Sequence, residues 1–176
     1  MIIIGNMKSL NRQYDELWFV MRSMDWFLYE KFKGSRFNNY DKTKLNKRNY
    51  ELLMRPNVKV IDELSPSKDL FTYYLSCKQH QTWDEKRFKE RYVPRFLKEI
   101  NCEDGRDRLN ELWRLDRAGK TVLLICTCQE ENMCHRSILA GILASVGCNV
   151  QVQGNLNDYL IYGKMFKELP VPKEED

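Results

Sequence analysis

The chain lacks a long hydrophobic run, has few histidines and carries little net charge, and each lack narrows what it can be. Its apolar runs fall far short of the roughly 18 residues of a membrane span, so no spanning segment and no membrane partner are expected. Only His80 and His135 could serve as histidine ligands or proton carriers. The net charge is +4, from 29 basic and 25 acidic residues, too small an excess to argue for nucleic acid by itself. The opening MIIIGNMKSL has only three strongly apolar residues in a row, too few for a signal peptide. A cytoplasmic location is therefore expected, the host cytoplasm if the source is a virus.

The six cysteines (Cys77, Cys102, Cys126, Cys128, Cys134 and Cys148) are irregularly spaced. Without a secretory signal, reduced thiols fit better than a disulfide framework. At 176 residues, 43% hydrophobic and 12% aromatic, the chain can bury one core. A single α/β domain over residues 1–169 is expected, with a basic, aromatic-rich insertion or lobe over about 25–56 and a flexible tail over 170–176. Residues 31–59 hold nine basic side chains against Asp41 and Glu51. Such a lobe reads as a solvated surface or, alternatively, as a nucleic-acid-binding patch.

Short apolar runs at residues 2–4, 17–21, 58–61, 122–126 and 149–152 read as strands. Between them, Ser65 and Pro66 signal one helix start, and Thr82 with Glu85 fits a capping box for the next. That second helix carries Phe88, Tyr92, Phe96 and Ile100 on one stripe, with a kink expected at Pro94. A helix over 107–118 should turn Leu109, Leu112 and Trp113 inward and stop at Gly119. Asn132 suggests an N-cap for a helix over 133–146, closed by Gly147. Strands separated by helices imply a mostly parallel sheet covered on both faces, a Rossmann-like three-layer α/β fold.

The chemistry concentrates in residues 121–152, where a buried strand feeds a polar loop and then Cys134, His135 and Arg136 at a helix start. Free amides and the helix dipole favour an anion there. Arg136 adds a planar cation and His135 a tunable donor. The same field would make Cys134 a thiolate candidate. A phosphatase-type loop needs arginine six positions after its cysteine, and six before Arg136 stands Glu130, so that mechanism fails. Cys126, Cys128, Cys134 and His135 offer the donor types of a Cys3His zinc site. Their spacing departs from the common two-residue knuckle, and adjacent residues on one helical turn diverge, so no metal is the working expectation. Cys77, Cys102 and Cys148 read as core residues and His80 as exposed loop.

These residues carry a family resemblance. Cys126 and Cys134 are eight apart, and His135 and Arg136 follow. In this Cys-x7-Cys-His-Arg pattern the chain resembles the domain-of-unknown-function 488 family of bacteria and their viruses. The turn LSPS at residues 64–67, the stretch FKERYVPRFL at 88–97 and the opening IIIGN are similar to further family segments. Cys128 stands where the family usually has glutamate or another polar residue. The resemblance implies a Rossmann-like α/β fold and no particular activity.

The leading expectation is a pocket for a phosphorylated, nucleotide-like small molecule at the carboxyl edge of the sheet. Gly5, Asn6, Arg22, Cys134, His135, Arg136 and Ser137 would line it, and aromatic residues of the insertion would stack on a base. An enzyme acting on a nucleoside or nucleotide bond, with Cys134 or Cys128 as nucleophile and His135 as acid or base, is an alternative. Nucleic-acid binding through the basic lobe is another. A virus-encoded protein that sequesters a host defence signal would share the pocket chemistry of the first reading. The sequence leaves self-association open.

Overall fold

A computed structural model describes residues 1–11, 13–21, 55–128 and 130–171. Arg22, nearly all of the expected insertion and residues 172–176 of the expected tail lie outside them. Among the described residues, five strands form one parallel sheet: β1 (Ile2–Asn6), β2 (Glu16–Phe19), β3 (Val58–Val60), β4 (Val122–Cys126) and β5 (Val150–Gln151), in the order β3-β2-β4-β1-β5. The central strand β4 reads VLLIC with all five residues buried, the continuous apolar run that a strand covered on both faces requires. Its side chains alternate between two cores. Val122 and Leu124 join Ile2, Ile4, Trp18 and Val20 beneath the helices. Leu123 and Ile125 join Leu17, Phe19 and Met21 on the opposite face. The fold is the Rossmann-like three-layer α/β arrangement.

The described helices are α1 (Lys68–Gln79), α2 (Glu85–Arg87), a π-helical turn (Phe88–Tyr92), α3 (Val93–Ile100), α4 (Glu103–Arg117), α5 (His135–Ser145) and α6 (Leu160–Lys167). Among the described residues, no helix is long and apolar enough to cross a membrane. Phe88, Tyr92, Phe96 and Ile100 are all buried, as their spacing predicts. The chain meets Pro94 through the π-helical turn, closed by the Val93 amide donating to the Phe88 carbonyl. A widened turn gives the proline ring, which lacks an amide proton, room in the helix.

Helix ends show where local signals compete. Gly119 and Gly147 close α4 and α5 at positive φ, 73° and 83°. After Gly119, the Lys120 amide reaches back to the Leu115 carbonyl at 3.0 Å, and after Gly147 the Cys148 amide reaches Leu143 at 3.1 Å, the paired closure that satisfies orphan carbonyls. Thr82 is not a cap: its amide closes α1 by donating to Cys77 at 2.9 Å. Asp84 takes the capping role, accepting from the Arg87 amide at 2.7 Å. The cap of α1 is Ser67, one residue past Pro66.

Asn132 does not cap α5 either. Residues 131–134 form a turn in which the Cys134 amide donates to Glu131 at 3.1 Å, and the helix begins after Cys134. Helix α4 starts earlier than its apolar spacing suggests, behind Cys102, whose sulfur accepts from the Gly105 amide. Cys102 is therefore exposed, not core. Trp113 is 40% exposed, with the Arg117 guanidinium over its ring at 5.4 Å. Leu109 and Leu112 alone fill the inward positions expected of the three.

Candidate functional site

Strands β1 and β4 are neighbours, yet the chain leaves β1 towards β2 on one side and leaves β4 towards β5 on the other. Such a reversal opens a crevice at the carboxyl ends of the strands. A cavity of about 400 Å³ lies at the same carboxyl edge, one strand over from the reversal, between the ends of β2 and β4 and helix α1. Its walls are aromatic: Phe71 and Tyr74 from α1, Trp83 from the loop after it, and Tyr92 from the π-helical turn. Trp83 meets Tyr74 edge-on at 4.9 Å and Tyr92 at 5.5 Å. Lys78 also lines the cavity.

Cys126, Cys128, Cys134 and His135 bring their side chains together along the same cavity. The Cys126 thiol donates to the Cys128 sulfur at 3.6 Å. Cys134 Sγ lies 3.6 Å from His135 Nδ1 and accepts from Arg136 Nε at 3.3 Å. Burial alone would raise the Cys134 thiol, but hydrogen bonds from Cys126 and Cys128 and the neighbouring His135 hold it well below the usual thiol range. Cys126 is pushed well up by its hydrogen bonds to Cys128 and Cys134 and by burial. For Cys128, the bond from Cys126 pulls down, but donation to Cys134 and burial prevail and push it up to about 12. Burial and the nearby sulfurs also raise Tyr74 and Tyr92, so both hydroxyls keep their protons.

His135 Nε2 is hydrogen-bonded to the Val20 carbonyl at the end of β2. A carbonyl can only accept, so Nε2 carries a proton and Nδ1 faces the sulfurs. Arg136 is 1% exposed. Besides its bond to Cys134, it donates through Nη1 to the Gly5 carbonyl and through Nη2 to the Cys128 carbonyl at 2.7 Å. It thus ties β1, the β4 loop and α5 into one unit, and its guanidinium lies behind the sulfurs.

Of the residues expected at a ligand site, Cys134 and His135 line the cavity, and so does Cys128. Gly5 and Arg136 meet each other behind it. Ser137 is fully buried, its hydroxyl donating to the Cys134 carbonyl at 2.8 Å. The Asn6 side chain is occupied by the Lys8 amide at 2.9 Å. Sequence reasoning missed the walls. Tyr92 falls on the helical stripe that reads as core, and neither Tyr74 nor Trp83 carries a local signal of a site.

The fold and this edge define an α/β protein with a parallel sheet and a thiol-lined crevice at its carboxyl end. The model of the active DUF488-N3 subclade matches residues 49–147, more than half of the chain. The chain belongs to the domain-of-unknown-function 488 family. No curated protein and no solved structure matches it.

Proposed function

We propose that the chain binds a phosphorylated, nucleotide-like small molecule in the cavity at the carboxyl edge of the sheet. The observation that carries this reading is the aromatic wall of Tyr74, Trp83 and Tyr92 facing a polar floor at the start of α5. Flat rings gain most from such walls, and about 400 Å³ falls within the range of small-molecule sites. At the other end of the ligand, Lys78 favours a phosphate. Arg136 supports that end by fixing the turn, since its own donors are bonded inside the protein.

Thermal shift against a panel of nucleotides, nucleosides and inorganic phosphate tests the reading. At least one nucleotide should raise Tm in the wild type, and Trp83→Ala should blunt the shift. A panel that leaves Tm unchanged throughout would sink it.

Turnover is a second reading, favoured by Cys134 Sγ lying beside His135 Nδ1 at the cavity and by the match to the active DUF488-N3 subclade. Cys134 Sγ would bond to the sugar carbon or the phosphorus as the base or alkoxide leaves with a proton from His135, and water would then cleave the new sulfur bond and return the thiol. Mass spectrometry after incubation separates the two readings: a binder returns its ligand unchanged and an enzyme does not.

A further inference from the structure

We propose that Cys126, Cys134 and His135 hold one zinc ion, and that Cys128, beside Cys126, turns in as its fourth ligand, giving three sulfurs and the Nδ1 of His135. The ligand atoms of Cys126, Cys134 and His135 lie within 4.8 Å of one another, a set that does not take in Cys128; Cys128 Sγ is 3.6 Å from Cys126 Sγ, so one side-chain rotation separates it from the other three. Zinc–sulfur and zinc–nitrogen bonds in a tetrahedron set sulfur–sulfur edges of about 3.8 Å and sulfur–nitrogen edges of about 3.6 Å. The Cys126–Cys128 pair at 3.6 Å and the Cys134–His135 pair at 3.6 Å fit those edges.

Two further features point to a metal independently of distance. His135 donates its Nε2–H to the Val20 carbonyl, which fixes the ring with Nδ1 turned to the sulfurs, where a metal would displace any proton Nδ1 carries. Metal-bound histidines are oriented in this way by a carbonyl or carboxylate behind the ring. The second feature is charge. Three thiolates around a zinc dication leave one net negative charge, and the buried Arg136 supplies one positive charge beside it, with Nε on Cys134 Sγ at 3.3 Å. A buried cation needs such a partner.

The divergence expected of adjacent residues on a helix does not arise. Cys134 is the N-cap, with extended backbone angles of −125° and 147°, and His135 is the first helical residue. Binding would release the protons of the ligating thiols to solvent. A soft, sulfur-rich tetrahedron selects zinc over magnesium, calcium or manganese. This inference does not rest on the proposed ligand, since metal content is measured with the cavity empty of any nucleotide.

Elemental analysis of the full chain, purified without chelator from zinc-supplemented cells, tests it. About one zinc per chain is expected. Cys134→Ser and His135→Ala should each lower that about tenfold or more, while Cys102→Ser, at the exposed cap of α4, keeps it. Cobalt exchange into the wild-type protein gives a readout that needs no variant: thiolate-to-metal absorption together with the intense visible bands of a tetrahedral site. Zinc below about a tenth of an ion per chain, undiminished zinc in Cys134→Ser, a different metal in its place, or cobalt without thiolate absorption would each overturn the proposal.

Discussion

Arg136 donates through Nε to the sulfur of Cys134 at 3.3 Å, while its two terminal nitrogens hold the carbonyls of Gly5 and Cys128. One side chain thus fixes the sulfur, the end of β1 and the loop after β4. Arg136→Met would leave two buried carbonyls and the sulfur without their donors, at a cost of about 3–5 kcal/mol. Arg136→Lys restores charge without the planar fork and should recover less than half of that. Urea denaturation measures both, and a loss below about 1 kcal/mol for Arg136→Met would contradict this role.

Trp83 belongs to the wall of the cavity and to an aromatic chain with Tyr74, Phe88 and Tyr92. Its replacement by alanine should weaken the tightest-binding nucleotide of the panel about tenfold or more, the worth of one lost stacking surface. Calorimetric titration of wild type and Trp83→Ala with that nucleotide gives the ratio. Equal Kd values would remove Trp83 from the binding surface.

Gln81 follows α1 at φ 53° and completes its closure by donating to Lys78. That backbone region suits glycine. Gln81→Gly should therefore raise stability by about 0.5–1 kcal/mol, even though it removes a side chain. A lowered urea midpoint would show that the Gln81 side chain matters more than its backbone angle.

Glu111 accepts from Lys59 at 2.9 Å and from Arg108 at 2.8 Å. Burial would raise its carboxyl, but the two bonds prevail and lower it. A carboxylate lowered on folding adds stability above its unfolded value, and that stability is lost as pH falls through the lower folded value. Glu111→Gln should cost about 0.5–1 kcal/mol at neutral pH. Its deficit should shrink as the solution is taken below about pH 4, the usual glutamate range. A deficit independent of pH would point to lost packing.

Helices α5 and α6 approach each other through glycines. A Cβ on Gly141 would run into the Tyr159 carbonyl, and one on Gly163 would sit 2.5 Å from the Gly141 carbonyl. Backbone cannot yield as a side-chain tip can, so Gly141→Ala should cost about 2 kcal/mol or more. Thermal unfolding reads this directly, and an unchanged Tm would mean that α6 shifts freely.

The sheet was legible because β4 is an unbroken apolar run and Gly119 and Gly147 mark their helix ends chemically. Helix starts were harder. Thr82 and Asp84, or Asn132 and Cys134, are two positions apart and both can sit at a cap. The choice between them is made by where the preceding helix closes or where the loop hydrogen-bonds, and neither is local in sequence. The sulfur cluster was visible as residue types. Its geometry was not, because the extended backbone of Cys134 reverses the expectation for neighbours on a helix. The cavity walls come from α1, the Trp83 loop and the π-helical turn, and no spacing rule relates three separate segments.

The π-helical turn at Phe88–Tyr92 has a consequence for how this chain tolerates insertions and deletions. Relative to a regular helix, it contains one extra residue, and each residue of an α-helix corresponds to about 100° of rotation. Deleting one residue here would let the helix run regularly into Pro94. Either Tyr92 would rotate away from the cavity, or Phe96 and Ile100 would rotate out of the core. The cavity wall and the core beneath α3 are thus phased against each other by a single residue, so a length change at this turn should be felt more sharply than most substitutions in it.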